Sequence, residues 1–120
     1  MKAHTKRAVA YIVGRLISQK TTEAIFDYSD SRHHSISGTV EEDRASTYDY
    51  EMNNHVSGNG SSGRFSLYHY GNNNHIQLIV EDERFHGFDY DTQQHFNGTV
   101  RGSSISLYDY EGGSCTIFSI

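Results

Sequence analysis

The chain has 120 residues, a formal net charge of −5, a single cysteine and no proline. That length suits one domain able to bury its own core, and a lone thiol, Cys115, excludes an internal disulfide framework. The scarcity of Lys and Arg argues against a nucleic-acid surface, which needs clustered cations to meet phosphates; the expected partner is an unknown small ligand or a protein.

The opening stretch, MKAHTKRAVAYIVGRLISQK, starts basic and turns apolar in the manner of a secretory leader. Gly14 and Arg15 interrupt the run, no small-residue cleavage pattern follows, and nothing reaches the ~18 apolar residues of a membrane span. A soluble, cytoplasmic protein is the expectation. The first strand is placed near Val9, with an amphipathic helix over residues 8–18 as the alternative; residues 1–8 are open to disorder.

From Phe26 onward one triplet recurs: FDY at Phe26, YDY at Tyr48, YHY at Tyr68, FDY at Phe88 and YDY at Tyr108, in steps of 22, 20, 20 and 20 residues. A fixed period of this size marks a repeat architecture. A second segment stands about midway between triplets, IVGRL at Ile12, ISGTV at Ile36, VSGNG at Val56, IQLIV at Ile76 and FNGTV at Phe96, and both segments alternate apolar and polar residues with the period of a strand. Turn-forming clusters separate them, EMNN, GNNN, DTQQ and EGGS on one side and EEDR, SSGR, EDER and RGSS on the other. The pattern predicts one all-β domain over residues 1–120: a closed up-and-down antiparallel meander of about eleven short strands, built from five hairpin repeats of ~20 residues. The first strand and the last, CTIFSI, are expected to pair and close the ring, which removes exposed edges.

Four-residue loops such as Glu51–Asn54 would set Tyr50 opposite His55, Tyr70 opposite His75 and Tyr90 opposite His95, all on one face. These six residues are the candidate ligand-binding set, backed by Tyr48, Tyr68 and Phe88. The other face carries Phe65, Leu67, Ile76, Leu78, Val80, Val100, Ile105 and Leu107, an aliphatic core. Gly38, Gly58 and Gly98 recur on it where a missing side chain lets a neighbouring backbone or ring approach. The middle residue of each triplet, Asp49, His69, Asp89 or Asp109, falls beside the turn, where an Asp accepts hydrogen bonds from loop amides; a calcium or sugar site is the alternative.

His55, His75 and His95 invite a metal ring, but equivalent residues two strands apart are separated by about 9.6 Å, while zinc ligands sit within about 2.1 Å of the ion. No cofactor or metal is assigned. GNGSSG at Gly58–Gly63 matches a dinucleotide fingerprint in letters only, since no helix or parallel crossover surrounds it. Cys115 falls in or beside the histidine column and reads as a small filler. His69 and His86 depart from the repeat, yet no catalytic constellation forms around them, and no residue is assigned a catalytic role.

SLYHY and SLYDY, with the GNNNHI and EGGSCTI that follow them, resemble the β-flower families, in which short antiparallel hairpins repeat around an axis as a shallow barrel with petal-like tips. The resemblance implies a fold and brings no functional residue; likeness to tubby-type barrels would imply a ligand or lipid headgroup at the barrel mouth. Tyrosine-aspartate shell repeats are a weaker likeness, because Asp precedes the second Tyr here in four of five triplets. The expected function is a non-catalytic binding or interaction module, with a carbohydrate or small molecule favoured. A structural homo-oligomer is the alternative should the Tyr-His face point outward, followed by a His-ring metal protein or an enzyme.

Overall fold

The computed structural model covers residues 1–120. It is a closed antiparallel barrel of ten strands with one helix inside. Helix α1 (Ala3–Ser18) precedes β1 (Ala24–Asp27), β2 (Arg32–Glu41), β3 (Arg44–Asp49), β4 (Asn54–Ser61), β5 (Arg64–His69), β6 (Asn74–Glu81), β7 (Arg84–Asp89), β8 (Gln94–Arg101), β9 (Ser104–Asp109) and β10 (Ser114–Ser119). Each strand pairs with its neighbours in sequence, and β10 returns to β1 through Phe26 opposite Ser119 and Asp27 opposite Phe118.

Two expectations are corrected. The stretch near Val9 is not a strand but the helix that stood as its alternative, so there are ten strands rather than eleven and β1, not the opening segment, closes the ring. Residues 3–8 form the first turns of α1. The cause is visible in the run Val9, Ala10, Tyr11, Ile12, Val13, all fully buried: a strand would turn half of these to solvent, whereas a helix apolar all round fills a bore. The second correction concerns register. Tyr48, not Tyr50, lies opposite His55, as Tyr68 does His75 and Phe88 does His95. The hairpin loop is residues 50–53, because the second triplet tyrosine has already left the ladder and its N–H bonds to the preceding repeat. A slip of two residues preserves which side chains share a face.

Turn chemistry fixes these loops. The triplet carboxylates point inward and accept loop amides as expected. Ser29 N–H donates to Asp27 Oδ1 at 2.8 Å, Glu51 and Met52 to Asp49 Oδ1 at 3.0 and 3.1 Å, Asp91 to Asp89 Oδ1 at 3.0 Å and Glu111 to Asp109 Oδ1 at 3.0 Å. His69 takes the same role, its Nδ1 accepting Asn72 N–H at 3.2 Å. At the opposite end two-residue turns join the strands; at Ser62 and Gly63 both φ angles are positive, 51° and 80°, as a type I′ turn requires.

The core is the inner face of the barrel packed on α1. The helix lies nearest β1–β3 and β8–β10, where β2 and β3 turn the small residues Gly38 and Ala45 inward, while Phe65, Leu67, Leu78 and Phe85 fill the opposite half. Lys2, Lys6 and Arg7 crowd the positive end of α1, whose first turn has no acidic residue. The barrel rim supplies the missing charge: Arg7 Nη2 lies 3.7 Å from Asp49 Oδ2, Lys6 Nζ 3.7 Å from Asp109 Oδ2, and the terminal amino group 2.8 Å from Asp109 Oδ2. α1 is not long and apolar enough to cross a membrane.

Candidate functional site

Alternation along the strands puts the triplet aromatics on the outside of the wall. Each hairpin carries one cluster of rings in edge-to-face contact. Tyr48 meets Tyr50 at 4.9 Å and His55 at 4.6 Å; Tyr68 meets Tyr70 and His75, both at 4.9 Å; Phe88 meets Tyr90 and His95, both at 4.8 Å. Such contacts add ~0.5–1.5 kcal/mol per pair beyond area burial. They also hold the outer ring in one orientation.

The six candidate residues are therefore brought together within hairpins, Tyr50 with His55, Tyr70 with His75 and Tyr90 with His95, each pair bridged by the first aromatic of its triplet. Sequence reasoning missed two members of the series. Phe26 meets Tyr28 and His33 at 4.8 Å each, and Tyr108 meets Tyr110 at 5.1 Å with Cys115 opposite Tyr108. The signal was available: His33 follows Phe26 by seven residues, as His55 follows Tyr48. The doublet His33-His34 hid it, because two adjacent histidines face opposite sides of a strand.

The clusters join into a belt. Tyr70 N–H donates to His55 O at 3.0 Å, Tyr90 to His75 O at 3.1 Å and Tyr110 to His95 O at 3.2 Å, so each outer tyrosine crosses onto the strand bearing the previous histidine. His95 and Tyr110 rings lie 6.4 Å apart across one such junction. Tyr50 Oη is 2.9 Å from Ser37 Oγ, and Asn97 Nδ2 donates to Tyr110 Oη at 2.8 Å. Despite these anchors Tyr28, Tyr50, Tyr70, Tyr90 and Tyr110 remain 46–56 % exposed.

Between β7 and β10 the belt borders an open groove of about 580 Å³ lined by Arg84, His86, Asn97, Thr99, Ser106 and Tyr108. His86 stands where the other repeats place Ser46, Ser66 and Ser106, and this larger side chain forms one wall. At the rim inside the belt, His69 is buried against the His4 ring at 5.1 Å. Burial, reinforced by His4, pushes its pKa down to about 4, so at neutral pH it is uncharged and its Nδ1 is free to accept the Asn72 amide. Asp109 is held below the usual carboxylate range, since the terminal amino group and Glu111 N–H outweigh the effect of burial.

No family model, curated protein or solved structure matches this chain.

Proposed function

We propose that the barrel is a non-catalytic binding module whose outer aromatic belt holds carbohydrate at repeated sites. The observation that carries this reading is the belt itself: five tyrosines stand half in water although each is fixed by a ring at about 5 Å and a backbone bond to an adjacent strand. Leaving an aromatic surface wet forgoes hydrophobic stabilisation, while fixing it in place lowers the entropy cost of binding. A ring beside imidazole, hydroxyl and amide groups offers an apolar platform and hydrogen-bonding neighbours, the combination ligand sites use. The likeness to β-flower hairpin petals belongs with this reading, and because α1 fills the bore the ligand is taken on the wall rather than in the mouth.

Repetition makes the binding multivalent, weak at one hairpin and stronger for a branched or polymeric sugar. Titration of oligosaccharides followed by NMR is expected to shift tyrosine and histidine resonances of several hairpins together. Tyr50→Ala, Tyr70→Ala and Tyr90→Ala are each expected to weaken a polymeric ligand by a similar factor, roughly five- to tenfold. Silence across a broad glycan panel, together with concentration-dependent assembly in light scattering that Tyr70→Ala abolishes, would replace this reading with a homo-oligomer joined through the belt.

A further inference from the structure

The first repeat departs from its siblings on the inner face. β2 has ten residues where β4, β6 and β8 have eight, and the two extra residues give the first step of 22. The insertion places both His34 and Ile36 inward. Relative to the preceding strand His34 occupies the position of Val56, as Ile25 opposite His34 matches Thr47 opposite Val56. A buried imidazole therefore stands where the other repeats keep Val56, Ile76 and Phe96, and at 2 % exposure its polar atoms must be answered by protein or ligand.

Carboxylates surround it. Glu51 Oε2 lies 2.5 Å from His34 Nδ1 and Asp30 Oδ2 lies 2.8 Å from Nε2, and one donor atom each from Asp27, Asp30 and His34 falls within 4.8 Å of the others. Asp27 is buried and its Oδ1 already accepts Ser29 N–H and Oγ–H, which leaves Oδ2 for another partner. Glu51 is answered on its other oxygen by Arg32 at 3.3 Å. Three carboxylates, Asp27, Asp30 and Glu51, thus gather around one imidazole, and of these only Glu51 has a guanidinium, Arg32, within hydrogen-bonding reach, a donor set rich in anionic oxygen of the kind a divalent cation takes.

We propose that Asp27, Asp30 and His34 form a binding site for a divalent first-row transition metal at the rim of the barrel, with Glu51 as the positioning carboxylate. With metal bound, Nδ1–H donates to Glu51, which fixes the tautomer and turns the Nε2 lone pair toward Asp30 and Asp27; this carboxylate-histidine pairing is how proteins orient imidazole ligands. Two oxygens and one nitrogen suit zinc, cobalt, nickel or manganese and leave coordination open to water. Tetrahedral ligands at about 2.1 Å from zinc stand about 3.4 Å apart. Asp30, on the exposed four-residue loop, retreats by about 0.6 Å from His34 to reach that spacing, and the metal takes the place of a proton between them.

The test is titration of EDTA-treated protein with cobalt(II) and zinc chloride, followed by visible absorption, calorimetry and thermal melting. The expected result is one equivalent bound, a cobalt spectrum of mixed nitrogen and oxygen ligation, and a melting temperature that rises with free metal. Asp30→Asn, on an exposed loop, keeps the fold and is expected to lose at least tenfold in affinity; His34→Gln loses the cobalt spectrum; Glu51→Gln weakens binding by roughly 10- to 100-fold while keeping stoichiometry. Absence of stoichiometric binding by the native chain, or equal binding by native and Asp30→Asn proteins, which would place the metal on surface histidines, overturns the proposal.

Discussion

The triplet's middle position shows one residue doing its work by hydrogen-bond geometry rather than charge. Four repeats accept loop amides with an Asp oxygen and the third does so with His69 Nδ1, which requires that nitrogen to be unprotonated. Its folded pKa, about 4, lies below the ordinary 6.5. The unfolded chain therefore takes the proton first as pH falls, and stability drops through the window from 6.5 to 4 before levelling off. The loss approaches about 3 kcal/mol, at 1.36 kcal/mol per pKa unit. His4, Asp49 and Asp91 are the charged or titratable neighbours that act on it. His69→Asn keeps an acceptor and removes the titration; its denaturation midpoint is expected to be flatter over that window than the native protein's, and an unchanged slope would show that another group governs acid stability. The Asp role was legible in the sequence because an Asp before a turn has a well-defined local partner. His34 was not, since its importance depends on which of two adjacent histidines turns inward, and only the pairing of β1 with β2 decides that.

At the level of elements, the strands were readable outright, while the helix over residues 8–18 stood only as the alternative to a first strand near Val9. Period-two alternation is written in each strand, whereas α1 has no polar face along Ala8–Gly14, and β-branched Val9, Ile12 and Val13 mimic a buried strand. What converts the run to helix is tertiary: a closed wall has no free edge for an eleventh strand, and its bore needs filling. The inward glycines answer to close approach within the wall itself. A Cβ on Gly98 would come 1.9 Å from Ser106 O and 2.4 Å from Phe85 Cζ, so the glycine exists to admit the Phe85 ring against the β8–β9 ladder. Gly98→Ala is expected to lose about 3 kcal/mol in urea denaturation, the upper range for overpacking. Phe85→Leu added to it is expected to recover part of the loss and no more, because the Ser106 carbonyl stays; full recovery would assign the cost to the ring alone.

Across the whole molecule the wall is uneven. Most adjacent strands pair over six positions, but β1 meets β10 over two, with Tyr28 N–H to Ile117 O at 3.1 Å as a further tie. This seam has the fewest bonds to hold it and is expected to open first. Amide hydrogen exchange should find β1 and β10 exchanging faster than β5 to β8; uniform protection around the ring would contradict a weak seam. The repeat count, the antiparallel order and the two-faced chemistry were readable because each is local and periodic. Closure at Phe26 instead of near Val9 was not, because it depends on where a non-repeating segment goes.

That segment sets the size of everything around it. A barrel widens with every strand added, while a helix keeps a diameter of about 10–12 Å whatever encircles it. Four hairpins would squeeze Tyr11 and Ile12 out of the lumen, and six would leave them rattling in a void. α1 is the mandrel on which the wall is wound, and duplication or loss of a single hairpin, the simplest change open to a repetitive gene, is opposed by the fit of one rod in one sleeve.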